Sequence, residues 1–136
     1  MKINFARILI GIVFLANIQC ALVFLIWPEK YAGSFELSGI PGEAMLRGLG
    51  VLFLMWNVPY AVALWHPVRH RVSLYEAVAM QAIGLIGESL ILWSLRGGHP
   101  VAAGSVTRFI AFDGAGLVAL ILAVSLTKGI VKPNIG

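Results

Sequence analysis

The chain has 136 residues, 60% of them hydrophobic and only 12% charged, with a formal net charge of +4. A mean hydropathy of +0.91 leaves no polar half to cover a core, which excludes a soluble domain of this size and points to the membrane class. The basic residues are scattered and build no patch, which excludes nucleic acid as a partner.

Four apolar segments, residues 5–27, 44–65, 72–95 and 109–126, reach the roughly 20 residues needed to cross a hydrocarbon core. They consume most of the chain, so the expectation is one all-α domain over residues 1–136, an integral membrane bundle of four transmembrane helices. The first segment outruns the apolar core of a cleaved signal sequence, about 7–15 residues, and no small-residue cleavage site follows it, so it reads as a spanning helix. Asn17 falls near its midplane. Cys20 is the single cysteine, which excludes an internal disulfide or a C-x-x-C pair and reads as packing. Trp27 and Tyr31 mark one interfacial belt, together with Trp93. Trp65 and Tyr75 mark the other.

Residues 28–43 mix Phe35, Leu37 and Ile40 with Gly33, Gly39 and Gly42. That is the composition of a partly interfacial segment, either a lid over the outer mouth of the bundle or an ordered connector. Within the second span Pro59 predicts a kink near residues 55–57, and Pro67 closes the helix. His66 and His70 are four apart, but Pro67 intervenes and Arg69 and Arg71 would repel a divalent ion, so no metal site is assigned. Gly97-Gly98-His99-Pro100 reads as a turn and breaker cluster before the fourth span. On that span Ala111, Ala115, Ala119 and Ala123 form a helix-packing stripe, directed either within the chain or at a second copy.

Glu88 and Asp113 lie inside the third and fourth spans, where an ionisable group costs several kcal/mol unless it faces a partner, a cavity or a function. Counting rise from the span ends puts both within about 6–11 Å of the outer boundary, in one layer with Arg47 and Arg108. Arg47 and Asn57 share a stripe of the second helix, Gln81, Gly84 and Glu88 one of the third, and Asp113 and Gly116 one of the fourth. The expected site is therefore Glu88, Asp113, Arg47, Arg108, Gln81 and Asn57. It is either an outward-opening polar pocket or an ion-pair cluster that pins helix register, with Arg47 and Arg108 as partners of the acids.

Lys2, Arg7, Arg69, Arg71, Lys128 and Lys132 against Glu29, Glu36 and Glu43 predict an inner (plasma) membrane protein with both termini cytoplasmic, a bias that Arg96 and Arg108 oppose. No histidine lies in a span, so neither haem nor a pigment finds an intramembrane histidine ligand. No G-x-S-x-G, Walker or dinucleotide motif is present, and no catalytic residue or cofactor is assigned.

The stretch Arg7-Ile8-Leu9-Ile10-Gly11-Ile12-Val13-Phe14-Leu15, followed by three further helices in a chain of this length, resembles the DoxX-like group of small four-helix membrane proteins. Arg47-Gly48-Leu49-Gly50 is similar to related four-helix families of undefined function. The resemblance implies the architecture. Some members of the group are small subunits of quinone-linked membrane oxidoreductases, but no redox site is reproduced here. The leading functional expectation is a non-catalytic subunit or accessory protein in a homo-oligomer or larger membrane complex. The alternatives are a small oligomeric proton or cation transporter or channel, and an intramembrane enzyme or binder acting on a lipid or quinone.

Overall fold

A computed structural model describes residues 1–95 and 97–130, and every regular element among them is helical. The order is α1 (Lys2–Ile26), α2 (Pro28–Ala32), a 3₁₀ turn (Gly33–Phe35), α3 (Gly39–Trp56), α4 (Val58–Trp65), α5 (Arg71–Ser94) and α6 (Pro100–Thr127). Four stretches are long and apolar enough to cross a membrane: α1, the pair α3 and α4 taken together, α5 and α6.

Two boundaries differ from those read off hydropathy. Helix α6 begins at Pro100, well before residue 109. Proline in a first turn lacks an N–H that would go unbonded there anyway, so Pro100 starts the helix where the sequence pattern suggested a breaker. Helix α3 likewise begins at Gly39, with Pro41 in its opening turn. The expected break in the second span is present: α3 ends at Trp56, and α4 starts at Val58 with Pro59 in its first turn. Proline cannot donate to the carbonyl one turn back, so the ladder is interrupted where Asn57 lies. The Asn57 side chain turns back onto α3, Nδ2 donating at 2.6 Å to the Phe53 carbonyl that also receives the Asn57 N–H.

Helix α1 packs on α3, α4 and α6, and α5 packs on α4 and α6, which closes a ring. At the end carrying the N-terminus, Ile10, Leu74 and Leu120 are fully buried with Ala6, Ala63, Ala77 and Ala123 around them. The opposite end has its own cluster of Phe24, Ala32 and Leu46, against which Phe35, Phe53 and Phe109 pack. Ring centroids there lie 5.7 to 6.3 Å apart, within the range of favourable aromatic pairs.

Basic residues expected to mark topology also close helix ends. Arg7 Nε donates to the Leu64 carbonyl at 3.0 Å, and Arg71 Nη2 donates to the Thr127 and Ile130 carbonyls at 3.1 and 2.6 Å. These carbonyls lie at or beyond the last turns of α4 and α6, where intrahelical donors run out. Arg96 and Lys132, which entered the charge pattern, lie outside the described residues. The alanine stripe divides: Ala123 is buried and Ala119 packs against the same cluster, while Ala111 and Ala115 are exposed.

Candidate functional site

Helix α4 packs against both α1 and α5, whereas α3, beyond the break, packs on α1 and α2. The change of partner at Asn57 leaves a cavity of about 660 Å³ in the half of the bundle that holds the aromatic cluster. Its apolar wall is built by Phe24, Phe35, Phe53, Trp56, Phe109 and Phe112, and its polar wall by Asn17, Asn57, Gln81, Glu88 and Asp113. Cys20 and Ala16 of α1 also line the space.

The polar wall rests on a reciprocal fit between α5 and α6. The Asp113 carboxylate presses against Gly84, so closely that a Cβ there would collide with Oδ2. The Gln81 amide in turn lies over Gly116, where a Cβ would sit 2.7 Å from Nε2. Each helix thus supplies a glycine to receive the other's polar side chain, the arrangement that lets α5 and α6 approach closely. Through it runs a chain of hydrogen bonds. Tyr60 Oη donates to Gln81 Oε1 at 2.6 Å, with the Ala77 carbonyl at 3.2 Å, and Gln81 Nε2 donates to Asp113 Oδ1 at 2.8 Å. Gln81 and Asn57 are each only 3% exposed.

Glu88 lies one turn beyond Gly84 on α5. Its Oε2 and the Asn57 Oδ1 are the buried side-chain oxygens left without a hydrogen-bond partner among the described residues. The Asn57 orientation follows from its neighbour: the Phe53 carbonyl only accepts, so Nδ2 must face it and Oδ1 must face away. An unsatisfied buried polar atom costs about 1–3 kcal/mol. The polar wall therefore retains Asn57 Oδ1 and one Glu88 oxygen unpaired, while the Glu88 carboxyl as a whole lies against that of Asp113.

Five of the six expected residues, Glu88, Asp113, Arg108, Gln81 and Asn57, line this one space. Arg47 does not. It is exposed and pairs with Glu43, one turn back on α3, at 3.6 Å. The buried face of α3 instead runs through Gly42, Leu46 and Gly50, and Arg47 lies about 80° around the helix from Asn57 at 100° per residue. The expected pairing of the acids with arginines is also replaced. Among the described residues the ion pairs are Arg47 with Glu43 and His99 with Glu36. Asp113 is met by an amide, and Arg108 Nη2 donates to Ser105 Oγ at 2.9 Å.

The segment between α1 and α3 covers the mouth. Lys30, Tyr31, Ser34 and Phe35 all line the cavity, and two contacts tie the segment to the start of α6. Ser105 Oγ donates to the Ser34 carbonyl at 2.5 Å. Glu36 receives His99 Nδ1 on Oε2 at 2.5 Å and the N–H groups of Val101 and Ala102 on Oε1, each at 3.2 Å. A carboxylate at a helix N-terminus meets unbonded donors and the positive end of the dipole. Glu36 takes a left-handed backbone, φ +57°, which points its side chain back at α6. The hydrogen bond from His99, followed by that from Ala102, holds the Glu36 carboxyl below the usual carboxylate range.

The aromatic wall is the part that sequence reasoning missed. Phenylalanines in spans read equally as lipid-facing or packed, and only the break at Asn57 with the fold-back of α2 turns them onto one space. The described residues contain no cluster of three or more candidate metal ligands. No family model, curated protein or solved structure matches the chain.

Proposed function

We propose that this chain is a membrane-embedded binding protein that takes a small amphiphilic molecule, of the lipid or quinone kind, into the space between its helices. The observation that carries this reading is the 660 Å³ cavity with an aromatic wall on one side and a hydrogen-bonding wall on the other. Ligand sites have this size and this mixture of apolar surface with a few placed polar groups. The two unpartnered acceptors, Asn57 Oδ1 and Glu88 Oε2, support it further. The test is native mass spectrometry of the chain extracted from its membrane in mild detergent. A small molecule is expected to co-purify, and to be lost when Ala16→Phe fills the cavity from α1. A chain that emerges empty would sink the reading.

A second reading, a non-catalytic subunit of a homo-oligomer or larger membrane complex, is favoured by the exposed half of the alanine stripe. Ala111 and Ala115 offer a neighbouring helix a close approach that α1 and α5 do not take. Mass spectra of the same preparation would show a second copy or a foreign subunit. In both readings the protein belongs to the inner membrane with both termini cytoplasmic. Support comes from Lys2, Arg7, Arg69, Arg71 and Lys128, which flank the ends of the spanning helices on that side. The DoxX-like resemblance is retained for architecture alone.

A further inference from the structure

The rim and the depth of the cavity are chemically opposite. Lys30 and Arg108 both line it at the end covered by α2. Among the described residues neither forms an ion pair. The Lys30 ammonium lies 5.2 Å from the centroid of the Trp27 ring, and Arg108 spends one Nη2 donor on Ser105 Oγ. A guanidinium has five N–H donors and an ammonium three, so most of the donor capacity at the rim is unspent. Deeper in, no cation lines the space, and the acceptors Asn57 Oδ1 and Glu88 Oε2 lie near the Asp113 carboxyl. Asp113 lies five residues beyond Arg108 on α6, about 7.5 Å further along the axis. Between rim and depth stand the rings of Phe24, Phe35, Phe53 and Phe109.

We propose that Lys30 and Arg108 form an anion subsite that holds the phosphate or carboxylate head of a single-chain amphiphile, whose apolar chain lies among Phe24, Phe35, Phe53 and Phe109. An anionic head finds charged donors only at the rim, because the depth holds the carboxyl groups of Glu88 and Asp113. A cationic head is repelled at the rim before it reaches the acids. Charge-assisted hydrogen bonds from a guanidinium and an ammonium are the strong kind, and a planar guanidinium suits both oxyanions. A cavity of 660 Å³ lies in the range of about 300–1,000 Å³ that takes one small ligand, which favours a single chain over a diacyl lipid.

The inference rests on the binding reading above and is tested so that the two fail separately. The purified chain in neutral detergent at pH 8 is titrated with hexadecyl phosphate, palmitate and hexadecanol, read by tryptophan fluorescence, since Trp56 is on the cavity wall. At least one anion is expected to bind roughly 10-fold or more tighter than hexadecanol, as charge-assisted head-group contacts allow. Preference for the phosphate or for palmitate identifies the head. The gap is expected to narrow in Lys30→Gln, an exposed position that leaves folding intact, and to close in Lys30→Gln with Arg108→Gln. Equal binding of all three amphiphiles overturns the subsite and leaves the cavity reading standing. An anion preference that survives the double substitution also overturns it, and binding of none overturns both.

Discussion

At the scale of single residues, the polar wall depends on two glycines as much as on the charged groups they receive. Gly116→Ala would place a Cβ 2.7 Å from Gln81 Nε2, which forces the amide off Asp113 or the helices apart. Overpacking of this kind costs about 1–3 kcal/mol, so the variant is expected to unfold at a lower temperature in detergent. Gln81→Leu removes the amide without crowding and orphans Asp113 Oδ1, which it now meets at 2.8 Å, while the Tyr60 hydroxyl is left with the longer bond to the Ala77 carbonyl at 3.2 Å. A loss of about 1–3 kcal/mol is expected from the unsatisfied group, measured by the same thermal unfolding. Were Gln81→Leu as stable as the parent, the hydrogen-bond chain would be incidental. Helical spacing made most of this wall legible, because Gln81, Gly84 and Glu88 recur on one face of α5 and Asp113 with Gly116 on one face of α6. Arg47 was misjudged because ten residues separate it from Asn57, and over that span an α-helix drifts off a strict i, i+3, i+7 stripe.

At the scale of elements, two joints shape the cavity, and each supports a prediction. Pro59 interrupts the second span from the first turn of α4, and its replacement by Ala restores the N–H that a continuous helix would give to the Met55 carbonyl, a bond worth about 1 kcal/mol. Pro59→Ala should therefore unfold at a higher temperature while retaining less of the bound amphiphile, as α3 straightens toward α5. Stability and retention moving together in that variant would refute the role given to the break. The other joint is Glu36, which fastens the mouth-covering segment to α6 through His99, Val101 and Ala102. Its carboxyl is held below its ordinary value of 4.5 in the folded chain, chiefly by the His99 hydrogen bond. The anchorage is thus in full force above that ordinary value and is lost as pH falls through the lower folded value. Protection of the Val101 and Ala102 amides from hydrogen exchange, taken relative to the intrinsic rate at each pH, is expected to fall as Glu36 becomes protonated in acid, and to be low even at neutral pH in Glu36→Ala. The position of the first break was legible from Pro59, but the second joint was not. Sequence distance hides a contact between Glu36 and His99, and a proline after two glycines looks like the end of order, where in fact it begins α6.

At the scale of the whole molecule, four helices of spanning length were readable because hydropathy and length are set by the bilayer. The cavity between them was not, because composition does not say which way a phenylalanine points. The proposed orientation has its own test. A fluorescent protein that matures only in the cytoplasm, fused to the C-terminus, is expected to glow, and a periplasm-dependent phosphatase at the same place to stay inactive. The reverse pattern would turn the cavity mouth toward the cytoplasm and the positive-inside argument would fall. Cys20 of α1, half-buried on the cavity lining, gives the molecule one more property. Because it is the only thiol in the chain, a thiol-directed reagent marks that space and nothing else. Its labelling rate in intact membranes is then a direct gauge of occupancy in the unaltered protein, slow when the space is filled and fast when it is empty.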